Sequence, residues 1–295
     1  MEDEKGSGKG MINRFIEPRK WRKIVDKIMR SLAFCCVLIA LIPLFGIIFY
    51  VTINGASAVN IEFLTQLPKP VGESGGGFGN AIQGSFIVVG IASLIGIPIG
   101  VLTGVYLSEF SNSKLALVTR FLADVLTGVP SIVAGIFGYT LVVLYFKQFS
   151  AFAGGVALSV IMIPIIARTT EESMKLVPDS LREGAFALGI RKWVTALVIV
   201  ISTARSGIVT GMLLAIARIM GETAPLLFTS FNNRFWAQGI DQPVATIPVQ
   251  IYTYAITPFP EWQAQAWGGA FILLIIVLSL NIGVRIAVRK RVRIA

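Results

Sequence analysis

At 295 residues and a net charge of +10, the chain contains 26 Lys and Arg, 16 Asp and Glu and no His. Charged residues make up only 14% of it, against roughly 25% in a soluble domain, which argues against the soluble globular classes. The absence of His excludes Ser-His-Asp triads and most zinc sites, because both need an imidazole. Cys35 and Cys36 are adjacent in an apolar run, so a disulfide framework is excluded as well.

Six apolar stretches are long enough to cross a bilayer core of about 30 Å, which takes about 20 residues in a helix. They predict an all-α membrane protein with six transmembrane helices. We place the spans near residues 32–53, 82–106, 117–145, 152–167, 208–228 and 270–287.

The spans divide the chain into predicted segments. A charged cytoplasmic tail covers residues 1–30, and the first transmembrane helix, residues 31–53, is followed by an external loop over residues 54–80. The main membrane domain covers residues 81–287 and includes a cytoplasmic loop over residues 168–205. A basic cytoplasmic end follows, over residues 288–295.

The distribution of basic residues predicts the orientation. Of the 26, 22 fall on one side of the predicted spans, 3 fall on the other, and Arg218 lies inside a span. The positive-inside rule therefore predicts a multi-pass protein of the cell membrane with both termini in the cytoplasm. The basic residues are split among four segments next to the lipid, which argues against a nucleic-acid groove.

Three glycines in the second span, Gly96, Gly100 and Gly104, recur at every fourth position. This spacing lets helix backbones approach closely where lipid gives helices no hydrophobic reason to associate. We expect these glycines to pack against another helix of the bundle.

An arginine and a glutamate lie within the fifth predicted span. Arg218 and Glu222 are four residues apart, which puts both side chains on one helix face. Arg218 follows Ile208 by about ten residues, so a rise of 1.5 Å per residue places it near mid-depth. Pro225 cannot donate to the carbonyl of Gly221, which predicts a helix break beside the two charges. Charges beside a broken helix are typical of a substrate pathway, and an ion pair that only fixes packing is the alternative.

The same pair suits one cargo in particular. If the cargo is phosphate, Arg218 offers a planar fork of donors, and Glu222 can accept the proton that phosphate keeps at neutral pH and sulfate lacks. A third acidic candidate, Asp124, follows Arg120 by four residues, and this spacing predicts an interfacial ion pair between them.

The predicted cytoplasmic loop contains a short helix. Ser180 and Glu183 have the spacing of a capping box, and Gly189 can end the helix in a left-handed conformation. The helix body around Ala185 is small and apolar on one side, so it needs a surface to cover it. Both the protein's own spans and a groove in a cytosolic partner fit this requirement.

This segment resembles the coupling loop of ABC importer permeases, with the pattern Glu-Ala-Ala, three residues, Gly, nine residues, Ile-x-Leu-Pro. Here the pattern is represented by Glu183-Gly184-Ala185, Gly189 and Ile199, with departures at Gly184 and at residues 201–202. A second set of segments is similar to the phosphate-importing members of the same permease family. It comprises residues 215–218, 221–229, 231–233, 242–245, 247–252 and 261–263.

The resemblance implies a permease subunit that forms half of the translocation path of an ATP-driven phosphate importer. It also implies a second permease subunit (PstC-like), two copies of an ATPase (PstB-like) and an external phosphate-binding protein (PstS-like). ATP and Mg²⁺ would bind the ATPase, so no cofactor is expected in this chain, which would not itself be an enzyme. The implied pathway residues are Arg218, Glu222 and Thr223, with the helix break at Gly221 and Pro225. The implied coupling residues are Glu183, Gly184, Ala185 and Gly189.

Two other classes remain open at this stage. A stand-alone secondary anion transporter or channel would need no ATPase, and a membrane-embedded enzyme would need a nucleophile and base or a metal cluster, neither of which is evident. The run from Gly6 to Gly10 imitates a phosphate-binding loop, but it lacks Ser or Thr after Lys9 and a preceding strand. ATP hydrolysis is therefore expected from another chain.

Overall fold

A computed structural model describes residues 7–73 and 75–292, with the side chains of residues 21–73 and 75–283. The regular secondary structure in these ranges is helical, which confirms the predicted all-α class. The chain divides into two compact units between Ile53 and Asn54. The first unit consists of helix α1 (Ser7–Ala56) up to Ile53, and the last three residues of this helix belong to the second unit.

The second unit contains the remaining twelve helices of the described residues. They are α2 (Ile61–Thr65), α3 (Gly79–Glu109), α4 (Lys114–Gly128), α5 (Ser131–Gly138), α6 (Leu144–Phe146), α7 (Ala151–Lys175), α8 (Asp179–Ala187), α9 (Lys192–Val194), α10 (Ile201–Met220), α11 (Ala224–Leu227), α12 (Ile247–Ala255) and α13 (Pro260–Val292). Two π-helical segments, Tyr139–Val143 and Thr195–Val200, join α5 to α6 and α9 to α10.

Five stretches of the described chain are long and apolar enough to cross a membrane, and a bent pair of helices makes a sixth span if it is counted as one. The bend, of 105°, lies between α4 and the segment Ser131–Phe146. The expectation of one continuous helix over residues 117–145 was therefore wrong. The helix stops because Pro130 disfavours a helical conformation at Val129, and both residues are extended, with ψ of 135° and 132°.

Several predicted boundaries do not coincide with the ends of helices. The fifth span begins at Lys192 instead of residue 208 and ends at Met220 instead of residue 228. Helix α7 continues to Lys175, within the predicted cytoplasmic loop over residues 168–205, and the location of this loop stays a prediction. Helix α1 begins at Ser7, within the predicted tail, and α13 continues to Val292, within the predicted basic end. Residues 1–6 and 293–295 of those two segments lie outside the described residues.

Helix α3 packs along α7, and the glycine spacing in α3 makes this contact possible. A Cβ atom added to Gly100 would lie 2.7 Å from the Ile166 Cβ, and one added to Gly104 would lie 2.5 Å from the Thr170 Cβ. Gly96 faces Met162 in the same way. The predicted close approach of helix backbones at these glycines is confirmed.

An aromatic cluster fixes the loop after α1 to the later part of the second unit. The rings of Phe63 and Phe78 stack with centroids 5.0 Å apart, and Phe78 meets Tyr254 edge to face. Tyr254 in turn stacks on Trp262 at 4.5 Å. Burial raises the pKa of the Tyr254 phenol. These rings bury the residues that lead into α3 and α13 and so position both helices.

Candidate functional site

The chain leaves the helical path two residues after Arg218. Helix α10 ends at Met220, where the amide of Gly221 donates to the Arg218 carbonyl at 3.2 Å. Helix α11 begins at Ala224, after three intervening residues, and the Thr223 carbonyl accepts its first amide hydrogen bonds. Pro225, in the first turn of α11, has no amide hydrogen to continue the α10 ladder. The break thus places Glu222 and Thr223 in a short connection between two helices.

Arg218 and Glu222 form a loose ion pair across this break. The Arg218 Nε lies 3.9 Å from the Glu222 Oε1, which is too long for a hydrogen bond. The Arg218 side chain is 53% exposed and that of Glu222 is 18% exposed. The donors of the guanidinium are consequently available to another anion.

A cavity of about 200 Å³ lies beside Arg218. Arg218 is the only charged residue among the described residues that line it, and neither Glu222 nor Thr223 belongs to the lining. The cavity is bounded by the bend between α4 and α5, by α7 and by α10. Its lining consists of Leu126, Thr127, Val129, Ser131, Val133, Ala134, Phe137, Val160, Ile161, Ile165 and Arg218.

The depth of Arg218 follows from its neighbours. The expectation of mid-depth assumed that the span starts at Ile208, and this premise was wrong because Arg218 lies in the last turn of a helix that starts at Lys192. The α7 residues of the cavity nevertheless flank residue 163, the middle of Ala151–Lys175. Arg218 therefore lies beside the centre of a neighbouring span.

The two helix breaks touch each other through a glycine. A Cβ atom added to Gly135 in α5 would lie 2.6 Å from the Pro225 Cα in α11. Only hydrogen at this position lets the first turn of α11 approach α5 so closely. The bend that lines the cavity and the break that carries Glu222 are thus held together, which the sequence alone did not indicate.

The short helix α8 differs from the prediction at its start and agrees with it at its end. Its N-cap residue is Pro178, with no capping side chain, so the predicted capping box of Ser180 and Glu183 was wrong. The helix starts earlier because Pro178 has a φ of −57° and its carbonyl accepts the Leu181 amide to close the first turn. At the other end Gly189 has a φ of 74°, as expected for a left-handed helix terminus.

The two sides of α8 face different surroundings. Ala185 is only 4% exposed and belongs to the buried residues of the second unit, so its small face packs on the protein's own helices. Phe186 and Leu188 are 43% and 81% exposed. Glu183 and Gly184 are also exposed, and no atom lies within 4 Å of a Cβ added to Gly184. The helix therefore presents an uncovered apolar face away from the bundle.

A buried carboxylate near α8 was missed by the sequence reasoning. Glu171 is fully buried, and its Oε1 lies 2.7 Å from the Arg120 Nη2 and 2.5 Å from the Lys175 Nζ. Its Oε2 lies 3.4 Å from the Arg168 Nη1. The predicted pair of Arg120 with Asp124 was wrong, because Arg120 turns to Glu171 and Asp124 pairs with Arg168 at 3.1 Å. The available signal was the spacing of Arg168 and Lys175 around Glu171, at three and four residues.

The described residues contain no group of three His, Cys, Asp or Glu side chains that could hold a metal ion.

Residues 96–293, about two thirds of the chain, match the family model of the binding-protein-dependent transport system inner membrane component. The chain belongs to this family. The permease is therefore a multi-pass membrane protein, in agreement with its apolar helices.

Curated relatives of the permease match along nearly their whole length. It is 45% identical over 272 residues to the phosphate transport system permease protein PstA of Yersinia pestis, with 92% of each chain covered. It is 46% identical over 267 residues to PstA of Haemophilus influenzae, with 90% of this chain and 94% of that one covered.

Solved structures share the fold of the permease at low sequence identity. A methionine ABC transporter, MetNI, matches with a TM-score of 0.57 at 18% identity, covering 72% of this chain and 93% of that chain. A bacterial alginate ABC transporter, in complex with an alginate-pentasaccharide-bound periplasmic protein, matches with a TM-score of 0.62 at 13% identity. The latter match covers 89% of this chain and 96% of that one. The predicted fold of an ABC importer permease is thereby confirmed.

Proposed function

We propose that this permease is a membrane-spanning subunit of an ATP-driven phosphate importer and forms half of its translocation path. The observation that carries the proposal is Arg218, a half-exposed cation that lines a cavity at the bend between α4 and α5. The identity to phosphate transport permeases supports phosphate as the cargo.

The pathway chemistry follows from the two charges at the α10 break. Phosphate that enters the cavity meets the guanidinium of Arg218, whose planar donors bind two phosphate oxygens at once. Glu222 holds Arg218 only at 3.9 Å, so the cation can exchange partners without losing a hydrogen bond. The Glu222 carboxylate accepts a hydrogen bond from the P–OH group of hydrogen phosphate, and this favours phosphate over sulfate, which has no such proton. Thr223 adds a hydroxyl in the same connection.

Transport by the reconstituted complex tests this assignment. The Arg218→Ala and Glu222→Ala variants are expected to abolish phosphate uptake into vesicles while the subunits still co-purify. Arg205→Ala is the matched control, because Arg205 is an exposed arginine of the same helix and has no ion pair in the described part of the chain. Normal uptake by either site variant would reduce the pair to a packing role.

The same assay separates an importer from a stand-alone transporter. In the proposed complex, uptake requires the second permease, the ATPase dimer with ATP and Mg²⁺, and the external phosphate-binding protein. Uptake by this chain alone, independent of ATP, would refute the proposal and favour a secondary anion transporter or channel.

Helix α8 is the proposed docking element for the ATPase. Its buried Ala185 fixes the helix to the bundle, whereas Glu183, Gly184, Phe186 and the end at Gly189 face outward. An apolar helix face of this kind fits a groove in a partner. A charge at Ala185 would disturb the packing of the permease itself, so a variant at this buried position does not test docking alone.

Gly184 offers a cleaner test of docking. The Gly184→Asp variant puts a charge on the outward face without a steric conflict, because the space around this position is open. We expect the variant to lose the ATPase on co-purification. Gly184→Ala is the matched control and should bind normally, with α8 stabilised by roughly 0.5–1 kcal/mol. If both variants co-purified equal amounts of the ATPase, the outward face of α8 would be excluded as the docking surface.

The proposed orientation places α8 and both chain termini in the cytoplasm, in accord with the excess of basic residues on that side. A reporter that is active only in the cytoplasm, fused after residue 295, should be active. An inactive fusion in cells that still import phosphate would contradict this topology.

A further inference from the structure

Helix α8 is tied to the transmembrane helices by one arginine. The Arg182 Nη1 lies 2.5 Å from the Glu109 Oε1 in the last turn of α3. Its Nη2 donates to the carbonyl of Met174 in the last turn of α7, at 3.4 Å. Arg182 and Glu109 are 18% and 20% exposed, so water screens this pair only partly. Asp179, 4.0 Å away and 91% exposed, is a much weaker partner.

The same ends of α3 and α7 hold α4. Arg120 in α4 makes two hydrogen bonds to the buried Glu171 of α7, at 3.0 and 2.7 Å. Its Nη2 also donates to the carbonyl of Leu107 in α3, at 3.5 Å. Leu107 lies two residues before Glu109, and Met174 lies three residues after Glu171. Arg182 and Arg120 therefore contact adjacent turns of the same two helices, α3 and α7.

Helix α4 continues from this network to the cavity. Leu126 and Thr127 in its last turns line the space beside Arg218, and the bend at Pro130 follows directly. A displacement of α8 that pulls on Arg182 thus reaches α3 and α7 first, then α4, and finally one wall of the cavity. The steps between helices are ion pairs or hydrogen bonds, and the last step runs along α4 itself.

We propose that Arg182, with Glu109, is a positioning residue that transmits the movement of α8 to the cavity wall, so that ATP hydrolysis is converted into phosphate movement. This inference rests on the proposed function. It differs from docking, because Arg182 holds the inner side of α8 to the bundle and is not part of the outward face. Loss of the pair should leave the ATPase bound but poorly coupled to transport.

A charge reversal tests the pair in the complete reconstituted importer. The variants are Arg182→Ala, Glu109→Ala and the double exchange Arg182→Glu with Glu109→Arg, and Arg205→Ala is the matched control. The measurements are ATPase co-purification, ATP hydrolysis, and phosphate imported per ATP hydrolysed. We expect each single variant to keep the ATPase and to lower phosphate per ATP by about tenfold, within the usual range of coupling between sites. The double exchange should recover most of this loss, and the control should match the original protein.

Two results would overturn the inference. One is a ratio of phosphate to ATP that stays within twofold of the original protein in both single variants. The other is a double exchange that is as impaired as the single variants, in coupling or in assembly, since the pair would then not act through its mutual contact. The unmodified complex reports separately on the proposed function, because ATP-independent uptake there would refute the importer without any variant.

Discussion

Replacing Gly104 by Ala tests whether the approach of α3 to α7 stabilises the bundle. The new Cβ would lie 2.5 Å from the Thr170 Cβ and 2.6 Å from the Ala167 carbonyl oxygen, where ordinary contact begins at 3.4 Å. Backbone cannot rotate away as a side chain can, so the helices must separate by about 1 Å. Overpacking of this kind costs roughly 1–3 kcal/mol. The gain of about 0.5–1 kcal/mol for removing a helical glycine offsets part of it.

Gly90→Ala is the matched control on the same helix, because no atom lies within 4 Å of a Cβ at Gly90. Gly90→Ala removes a helical glycine without causing a clash, so it should raise the free energy of unfolding, whereas Gly104→Ala should lower it. The free energies of unfolding of the two variants should differ by roughly 1–3 kcal/mol. Thermal unfolding of the purified permease in detergent measures this, at about 2–4 °C per kcal/mol. Equal midpoints for the two variants would refute the role assigned to the glycine contact.

Three further predictions concern the charges and the break. Glu171→Gln should lower the free energy of unfolding by about 2–3 kcal/mol. This is less than the roughly 3–5 kcal/mol lost when a fully buried ion pair is broken, because the cations around Glu171 are partly exposed. Thermal unfolding measures the effect, with the exposed Glu172→Gln as the control. Arg218→Lys keeps the charge but loses the planar fork, so vesicle uptake should fall about tenfold or more, with partial uptake distinguishing it from Arg218→Ala. Gly135→Ala should slow uptake several-fold in an assembled complex because it separates α5 from Pro225, and unchanged uptake would show that this contact is dispensable.

The sequence predicted those features that depend on composition or on short-range chemistry. The apolar stretches predicted the all-α class and, if the bent pair counts as one span, the number of spans. The glycine spacing in α3 predicted a surface that packs against another helix. Gly189 was recognisable as a helix end because a left-handed residue there is favourable for glycine. The bend at Pro130 was hidden by the length of the apolar stretch, although the residue pair that causes it is visible in the sequence.

Features that depend on distant residues were not predictable in the same way. The spacing of Arg120 and Asp124 suggested a local pair, but Arg120 pairs with Glu171, 51 residues away, where the carboxylate is fully buried and also contacts Lys175 and Arg168. The small face around Ala185 indicated a helix that must be covered. Which surface covers it depends on the position of α8 against α3 and α7, and a single sequence does not contain that geometry.

The exposure of Arg218 bears on where the pathway runs in the proposed importer. Its side chain is 53% exposed beside the centre of α7, and its one ion partner among the described residues is 3.9 Å away. An arginine that faced lipid at such a depth would cost roughly 2.5–3.5 kcal/mol or more. This face of the permease is therefore covered in the working protein by water, by the cargo or by a second subunit. A pathway at the surface of one chain, completed by a partner, satisfies this requirement.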